Sequence, residues 1–454
     1  MVNLLSTASL LLSASVAHAS LQIVPGATLT GTNTGAHVQA HGAGVVELDG
    51  TYYLIGEDKT NGSAFQNVNC YSSTDLVSWT YVGALLSQTS SGDLGPNRVV
   101  ERPKVIYNSS TGKYVLYMHI DSSSYGEAKV GVATGDSVCG SYEYLGSWRP
   151  LGYQSRDIGL FQDDDGSAYL LTEDRENGLR IDALTDDYLN VSSSVYLFDD
   201  YEAPAMVKKD GYYFLFASHL SGWNPNDNEY TYSTNLSSGW SDWTTFATVG
   251  SDTYSSQTNF ILPVSDDLTV YMGDRWVSSN LMASTYVWLP LSFSGTTVTM
   301  SDHVNWVPNA AAGGSWTAGP SENDPEGEDA VLAGGAKVVT CSGCSGGSSA
   351  GYIGGGSGGS VTFDGVVSSV ATAGTTMRIK YENGDSTQRY ANVSCNGDAG
   401  QVVAFLPTAS GNGTPGSSVV TCGLAAGDAN VVVVAGLGDG TYGPDVDRIM
   451  VPVS

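Results

Sequence analysis

The chain has 454 residues, with 46 acidic against 18 basic side chains and a net charge of −28 at pH 7. That length admits two or three domains, and the charge repels nucleic acid and polyanionic polysaccharides, which leaves a neutral ligand as the favoured partner. Beyond the first residues no apolar run is long enough to cross a bilayer, so the mature protein is expected to be soluble.

The segment Leu4 to Ala17 is apolar and small, and Ala17-His18-Ala19 is an A-x-A cleavage pattern. Residues 1–19 are expected to be a secretory signal peptide, and the protein to be secreted and extracellular. In such a chain Cys70, Cys139, Cys341, Cys344, Cys395 and Cys422 are expected in disulfides. Cys70 pairs most simply with Cys139, because both precede the first linker, and a second set lies within the C-terminal region. Cys341-x-x-Cys344 has no second CxxC or His pair beside it, so zinc is not expected. Asn61, Asn108, Asn190, Asn235, Asn392 and Asn412 head N-x-S/T sequons, in keeping with a glycoprotein.

Helical signals are scarce. Short aromatic and β-branched runs alternate with Gly, Asn, Asp and Ser clusters, which reads as all-β. A turn followed by a Tyr-rich strand recurs at Gly50-Thr51-Tyr52, Gly112-Lys113-Tyr114, Gly166-Ser167-Ala168-Tyr169, Gly211-Tyr212-Tyr213 and, more loosely, Asp267-Leu268-Thr269. Intervals of 45 to 62 residues are long for a hairpin and suit four-stranded units. They predict a five-bladed β-propeller over residues 20–308. A polar residue precedes each turn by 9 to 11 positions: His41, Glu101, Asp157, Glu202 and Gln257. If each opens the innermost strand of its blade, all five face one funnel at the axis. The plainer alternative is polar residues lining a wet central channel.

Residues 309–320 (Asn-Ala-Ala-Ala-Gly-Gly-Ser-Trp-Thr-Ala-Gly-Pro) have linker composition. Beyond them, Ser360–Phe363, Met377–Tyr381 and Asn430–Val434 predict strands of a β-sandwich, a jelly-roll module over 321–454. The abundant aromatics (26 Tyr, 9 Trp) suit the C–H faces of sugars, although all-β cores are aromatic-rich as well.

The run Arg156-Asp157-Ile158-Gly159-Leu160-Phe161, followed by Tyr201-Glu202-Ala203-Pro204 and a Tyr-rich strand, resembles glycoside hydrolase family 43. Gln39-Ala40-His41-Gly42, Gly56-Glu57-Asp58-Lys59, Val99-Val100-Glu101-Arg102-Pro103-Lys104, Ser123-Ser124-Tyr125-Gly126 and Met272-Gly273-Asp274-Arg275-Trp276 resemble the fungal exo-β-1,3-galactanases of that family. The C-terminal region is similar to family-35 carbohydrate-binding modules through Pro325-Glu326-Gly327-Glu328-Asp329, Ala350-Gly351-Tyr352, Tyr381-Glu382-Asn383-Gly384-Asp385 and Pro444-Asp445-Val446-Asp447-Arg448.

The resemblance implies an inverting, exo-acting hydrolase of β-1,3-galactan in arabinogalactan that needs no catalytic cofactor and works as a monomer. Glu202 is then the general acid, and Asp157 orients it and raises its pKa. The family's base aspartate is absent, since its place reads Ala40-His41-Gly42-Ala43. Gln257 is expected to position the water, as an amide or an imidic-acid tautomer, with Glu101 the alternative base. Glu57, Glu101 and Tyr125 are expected to bind the terminal galactose. Trp223 and Trp276 either stack on sugar or pack, and His41 reads as a packing histidine. In the module Glu326, Glu328 and Asp447 offer hard oxygens for a structural Ca2+, and Tyr352, Asp385 and Tyr442 are the candidate galactose contacts. Two other readings stay open: an arabinofuranosidase or xylosidase of the same family, and a catalytically silent lectin.

Overall fold

The computed structural model describes residues 21–310, 314–369, 371–408 and 414–453. The expected signal peptide and the sequon asparagine at 412 lie outside them. Strands dominate the described residues, as the alternation of aromatic runs and turn clusters predicts.

Five four-stranded antiparallel sheets follow one another along the chain, each a meander in sequence order. The first holds β1 (His41–Leu48), β2 (Thr51–Glu57), β3 (Asn67–Ser73) and β4 (Thr80–Ser87). The second holds β5 (Arg98–Asn108), β6 (Lys113–Ser122), β7 (Lys129–Gly135) and β8 (Glu143–Trp148). The third is β9 (Ile158–Gln162), β10 (Ala168–Asp174), β11 (Gly178–Leu184) and β12 (Val191–Leu197). The fourth is β13 (Glu202–Lys209), β14 (Tyr212–Ser218), β15 (Glu229–Ser233) and β16 (Thr244–Thr245). The fifth is β17 (Gln257–Pro263), β18 (Thr269–Arg275), β19 (Thr285–Ser294) and β20 (Thr297–Met300).

The recurring turns connect first to second strands. Asp49-Gly50 and Asp210-Gly211 have positive φ at both residues (52° and 75°, 50° and 80°). These are two-residue hairpins whose twist matches the flanking strands, which Asp-Gly adopts at little cost. First strands lie beside one another in the cycle β1, β5, β9, β13, β17 and back to β1. One apolar cluster joins the fifth sheet to the fourth and the first, with Leu54, Phe214, Phe216, Val270 and Leu289 essentially dry. The Cys70–Cys139 disulfide ties β3 to the loop after β7, and so the first sheet to the second. The other pairs, Cys341–Cys344 and Cys395–Cys422, fall within the C-terminal region.

That region folds as two antiparallel sheets over one core. The six-stranded sheet includes Thr372–Glu382 and Asp445–Pro452, and the five-stranded sheet includes Ser360–Ser368 and Gly427–Ala435. Val432 and Val434 are fully buried while Val431 and Val433 are less so, the period-two pattern of a sheet with one face inward. The segment 309–320 folds back in part: Thr317–Ala318 pairs with Trp306–Val307, and Gly319 N donates to Asn305 O.

The N-terminal segment connects the two regions. Ile23 pairs with Trp306, Thr28 N donates to Ser417 O at 2.7 Å, and Ala404 N donates to Thr30 Oγ1 at 3.1 Å. Met282 and Ala283, after β18, bury Leu406 of the C-terminal region. One sequon needs correction: Asn108 is buried, its amide donates to Asp186 O, and its Oδ1 accepts from Ser110 N, which leaves no room for a glycan.

Candidate active site

Glu202, Gln257, Glu101 and His41 lie on first strands, near the start of β13, β17, β5 and β1, and Asp157 immediately precedes β9. All but His41 line one cavity of about 300 Å³, together with Glu57, Tyr125, Trp223 and Trp276. A register irregularity follows three of them, His41, Glu101 and Glu202. β1 slips between His41 and Gly44, β5 between Glu101 and Lys104, and β13 between Glu202 and Ala205. In each case the next residue has positive φ: Gly42 at 58°, Arg102 at 52° and Ala203 at 57°. A bulge of this kind bends the strand and redirects the preceding side chain, at a backbone cost that Arg102 and Ala203 bear without glycine's freedom.

Opposite this inner set stands a second one, on second strands. Glu57 pairs with His41, His119 with Glu101, Ser218 with Glu202 and Asp274 with Gln257. Glu173 N donates to Asp157 O at 2.9 Å. His119, Glu173, Arg102 and Arg175 also line the cavity, Asp274 contacts His41, and Lys59 contacts Glu57 and Glu101; turn-to-strand spacing did not single these out. The signal that could find all but Arg102 is register: each lies near or just beyond the end of a second strand whose start is set by the recurring turn, whereas Arg102 follows Glu101 on β5.

Glu202 is 3% exposed. It lies with Asp157 and Glu173 so that one oxygen from each falls within 4.8 Å of the others. Burial, then repulsion from Asp157 and Glu173, pushes the Glu202 carboxyl up to about 8. Burial and Asp157 push Glu173 up to about 7. Two guanidiniums offset the charge: Arg102 Nε donates to Asp157 Oδ2 at 2.9 Å, and Arg175 bridges Glu173 and Glu202. Asp157 and Glu173 are too close to Glu202 to activate water across a sugar ring, which needs carboxyls about 6.5–9.5 Å apart. Their effect is to raise the pKa of Glu202.

Gln257 touches Glu202 directly. Arg102 Nη2 (2.6 Å) and Trp276 Nε1 (3.0 Å) both meet one atom of its amide, and neither can accept, so that atom is the oxygen. Its Nε2 therefore donates to Glu202 Oε1 at 3.0 Å. Two donors on Oε1 hold the side chain as an amide rather than as the imidic acid.

The opposite wall is a network of alternating charge. Lys59 Nζ lies 2.7 Å from Glu57 and 3.0 Å from Glu101, and Tyr125 OH donates to Glu101 at 2.9 Å. Burial opposes ionisation of Glu101, but Lys59 and His119 prevail and keep its carboxyl well below the usual range. Burial would lower His119, yet its hydrogen bond to Asp121 and the Glu101 carboxylate 3.5 Å from Nδ1 raise it to about 9. Glu57 rises to about 7, chiefly by burial. Trp223 and Trp276 meet edge to face at 4.9 Å. His41 is fully buried, stacks on Tyr286 and holds Asp274 at 3.0 Å, in keeping with its reading as a packing residue.

In the C-terminal region Tyr352 and Tyr442 are exposed and meet edge to face at 5.9 Å. Asp385 accepts from Arg389, which also donates to Gly443 O beside Tyr442. Glu326 Oε2 and Glu328 Oε2 are buried without hydrogen-bond partners. Asp447 Oδ1 accepts from Ser345 N, and burial, then Glu326 and Glu328, raises its carboxyl to about 6. Among the described residues the ligand atoms of these three carboxylates do not all lie within 4.8 Å of one another, and Asp447 Oδ2 is paired with Arg448.

Residues 39–308 match the family model for glycosyl hydrolases family 43, and residues 360–451 match the model described as alpha-galactosidase, CBM13 domain. The latter is a carbohydrate-binding family other than the one the sequence resembles. The chain is similar to the exo-β-1,3-galactanase of Phanerochaete chrysosporium, solved with galactose, at 40% identity over 95% of this chain and 100% of that one, with a TM-score of 0.67. A glutamate-to-glutamine variant of that enzyme, solved with β-1,3-galactotriose, matches at 39% identity, 95% and 100% coverage and a TM-score of 0.67. An exo-β-1,3-galactanase from Clostridium thermocellum matches at 28% identity over 88% of this chain and 99% of that one, with a TM-score of 0.62. No match is found among curated proteins.

Proposed function

The chain belongs to glycosyl hydrolases family 43, and on that premise we propose that it is a secreted exo-β-1,3-galactanase that removes terminal galactose from the galactan backbone of arabinogalactan. The reading takes residues 20–308 as a five-bladed β-propeller and 321–454 as a β-sandwich that holds the polymer near the site. The closed cycle of first strands supports the former. The observation that carries the function is Glu202 itself: a buried carboxyl kept protonated near neutral pH by Asp157 and Glu173, at the wall of a cavity whose far side offers Glu101, Glu57 and Tyr125 to sugar hydroxyls.

The reaction is single-displacement inversion. Glu202 gives its proton to the glycosidic oxygen as the bond to the anomeric carbon breaks. A water on the opposite face forms the new bond. Gln257 has one Nε2–H left to orient that water, and ionised Glu101 is the acceptor for the proton it gives up. In the module Glu326, Glu328 and Asp447 would hold a calcium ion, which supplies positive charge to an otherwise repelling cluster, and Tyr352, Asp385 and Tyr442 are the proposed galactose contacts.

Incubation with linear β-1,3-galactan is the test. Galactose released first as the α anomer, and abolished by Glu202→Gln, is the expected result. Binding without release would replace this reading by a lectin, and preferential cleavage of aryl arabinofuranosides or xylosides would replace it by a sister activity.

A further inference from the structure

The two oxygens of Glu202 have unlike partners. Oε1 accepts from Gln257 Nε2 at 3.0 Å and from Ser221 N at 3.2 Å, while Oε2 accepts from Arg175 Nη2 at 3.0 Å. Oε1 is held by two donors on the protein side, so the oxygen that can carry a proton to a substrate is Oε2. That oxygen is covered by a guanidinium, which has five donors and no acceptor. A protonated Oε2 has nothing there to donate to. Arg175 is unlike the rest of the site: its side chain is 45% exposed where that of Glu202 is 4%, and it is tethered from the side by Glu173.

We propose that Arg175 is a positioning residue that covers Glu202 Oε2 in the free protein and is displaced by the sugar on the leaving-group side, which frees that oxygen and strengthens its hold on the proton when the bond to be cut is in place. This rests on Glu202 being the general acid. The charged groups facing Glu202 are Asp157 ahead of β9, Glu173 on β10, Arg102 on β5 and Arg175 after β10. From β17 and the loop after β14 come the neutral Gln257 amide and Ser221 N–H. Removing Arg175 leaves Glu202 against two carboxylates with Arg102 as the one nearby cation, and a bound sugar excludes water as well. Both changes disfavour the carboxylate. Burial weighs against the Arg175 charge, but Glu173 and Glu202 outweigh it, so the guanidinium remains a cation in the free site.

The experiment uses the full chain and S-linked β-1,3-thiogalactobiose, which is not cleaved. Binding is followed by calorimetry at pH 8 in buffers of different ionisation enthalpy. Because the free carboxyl lies near 8, up to about half a proton is taken up per site if its affinity rises on binding. Uptake by wild type with the disaccharide, and none with galactose alone, is expected; this comparison needs no variant. Arg175→Gln, already protonated before binding, takes up little, and Arg175→Lys restores the uptake. In kinetics the alkaline limb of kcat/KM falls below that of kcat in wild type, and the two limbs merge in Arg175→Gln. Equal uptake by wild type and Arg175→Gln, or equal uptake with galactose and the disaccharide, overturns this inference alone. Failure to bind the disaccharide at all overturns the substrate reading and this inference with it.

Discussion

Three carboxyl groups with oxygens inside 4.8 Å of one another do not all ionise freely, and the surrounding residues decide which one keeps its proton. Asp157 has Arg102 at 2.9 Å; Glu202 is buried and carries the largest rise. The consequence for stability has a definite sign. A carboxyl raised from its ordinary value to about 8 lowers folded-state stability as pH climbs from the ordinary range to 8, because the unfolded chain ionises first. Glu202→Gln should therefore unfold at a higher temperature than wild type at pH 8, and the gain should vanish near pH 4. The same variant should lose about 10²–10⁴-fold in kcat, the size of general-acid assistance. Wild-type kcat/KM should fall above pH 8, as the proton is lost. On the opposite wall Tyr125→Phe removes the donor to Glu101 and a contact offered to the terminal galactose, and should raise KM several-fold.

Among elements, the bulged first strand is the unit that builds the site. A regular strand would send His41, Glu101 and Glu202 wherever the pleat dictated; one residue of positive φ after each redirects it, Glu101 and Glu202 into the cavity and His41 onto Asp274. Gly42 tests this. A Cβ there would meet Glu57 Oε1 at 2.5 Å and Arg102 N at 3.0 Å. Gly42→Ala should cost about 1–3 kcal/mol through backbone strain alone, seen as a lowered denaturation midpoint. It should also cut activity by displacing Glu57 and Arg102. The five polar positions were legible in the sequence because a first strand and its turn have nearly constant length. Their partners were not: Glu173 and Asp274 look like ordinary strand-end acids until register sets them against Asp157 and Gln257.

In the whole molecule the N-terminal segment makes the two regions one body. Gln22, Thr28 and Thr30 hydrogen-bond to Thr376, Ser417 and Ala404, and Met282 shares an apolar contact with Leu406. Calorimetry of the full chain should show a single unfolding transition rather than two. A chain ending at residue 320 should melt several degrees lower, because truncation exposes Met282 and strips Thr28 of its partners. Two separate transitions with unchanged midpoints would argue that the joint contributes nothing. Galactan capture gains from such a joint, since a fixed module presents polymer at one distance from the cavity, whereas a free tether samples many.

Strand content, the fivefold repeat and the place of Glu202 at the start of a first strand were readable from the order of residues, because they rest on local periods and turn chemistry. Pairing Cys70 with Cys139 was equally local in its logic. What only the folded chain decided is the company each group keeps. The amide of Gln257 is oriented by Arg102, 155 positions away, and Asp274 is held by His41, 233 positions away. The oxygen that Arg175 covers follows from a hairpin of one sheet leaning over the first strand of the next. A proton's location depends on distances of a few ångströms between groups far apart in the chain, and sequence spacing does not record those distances.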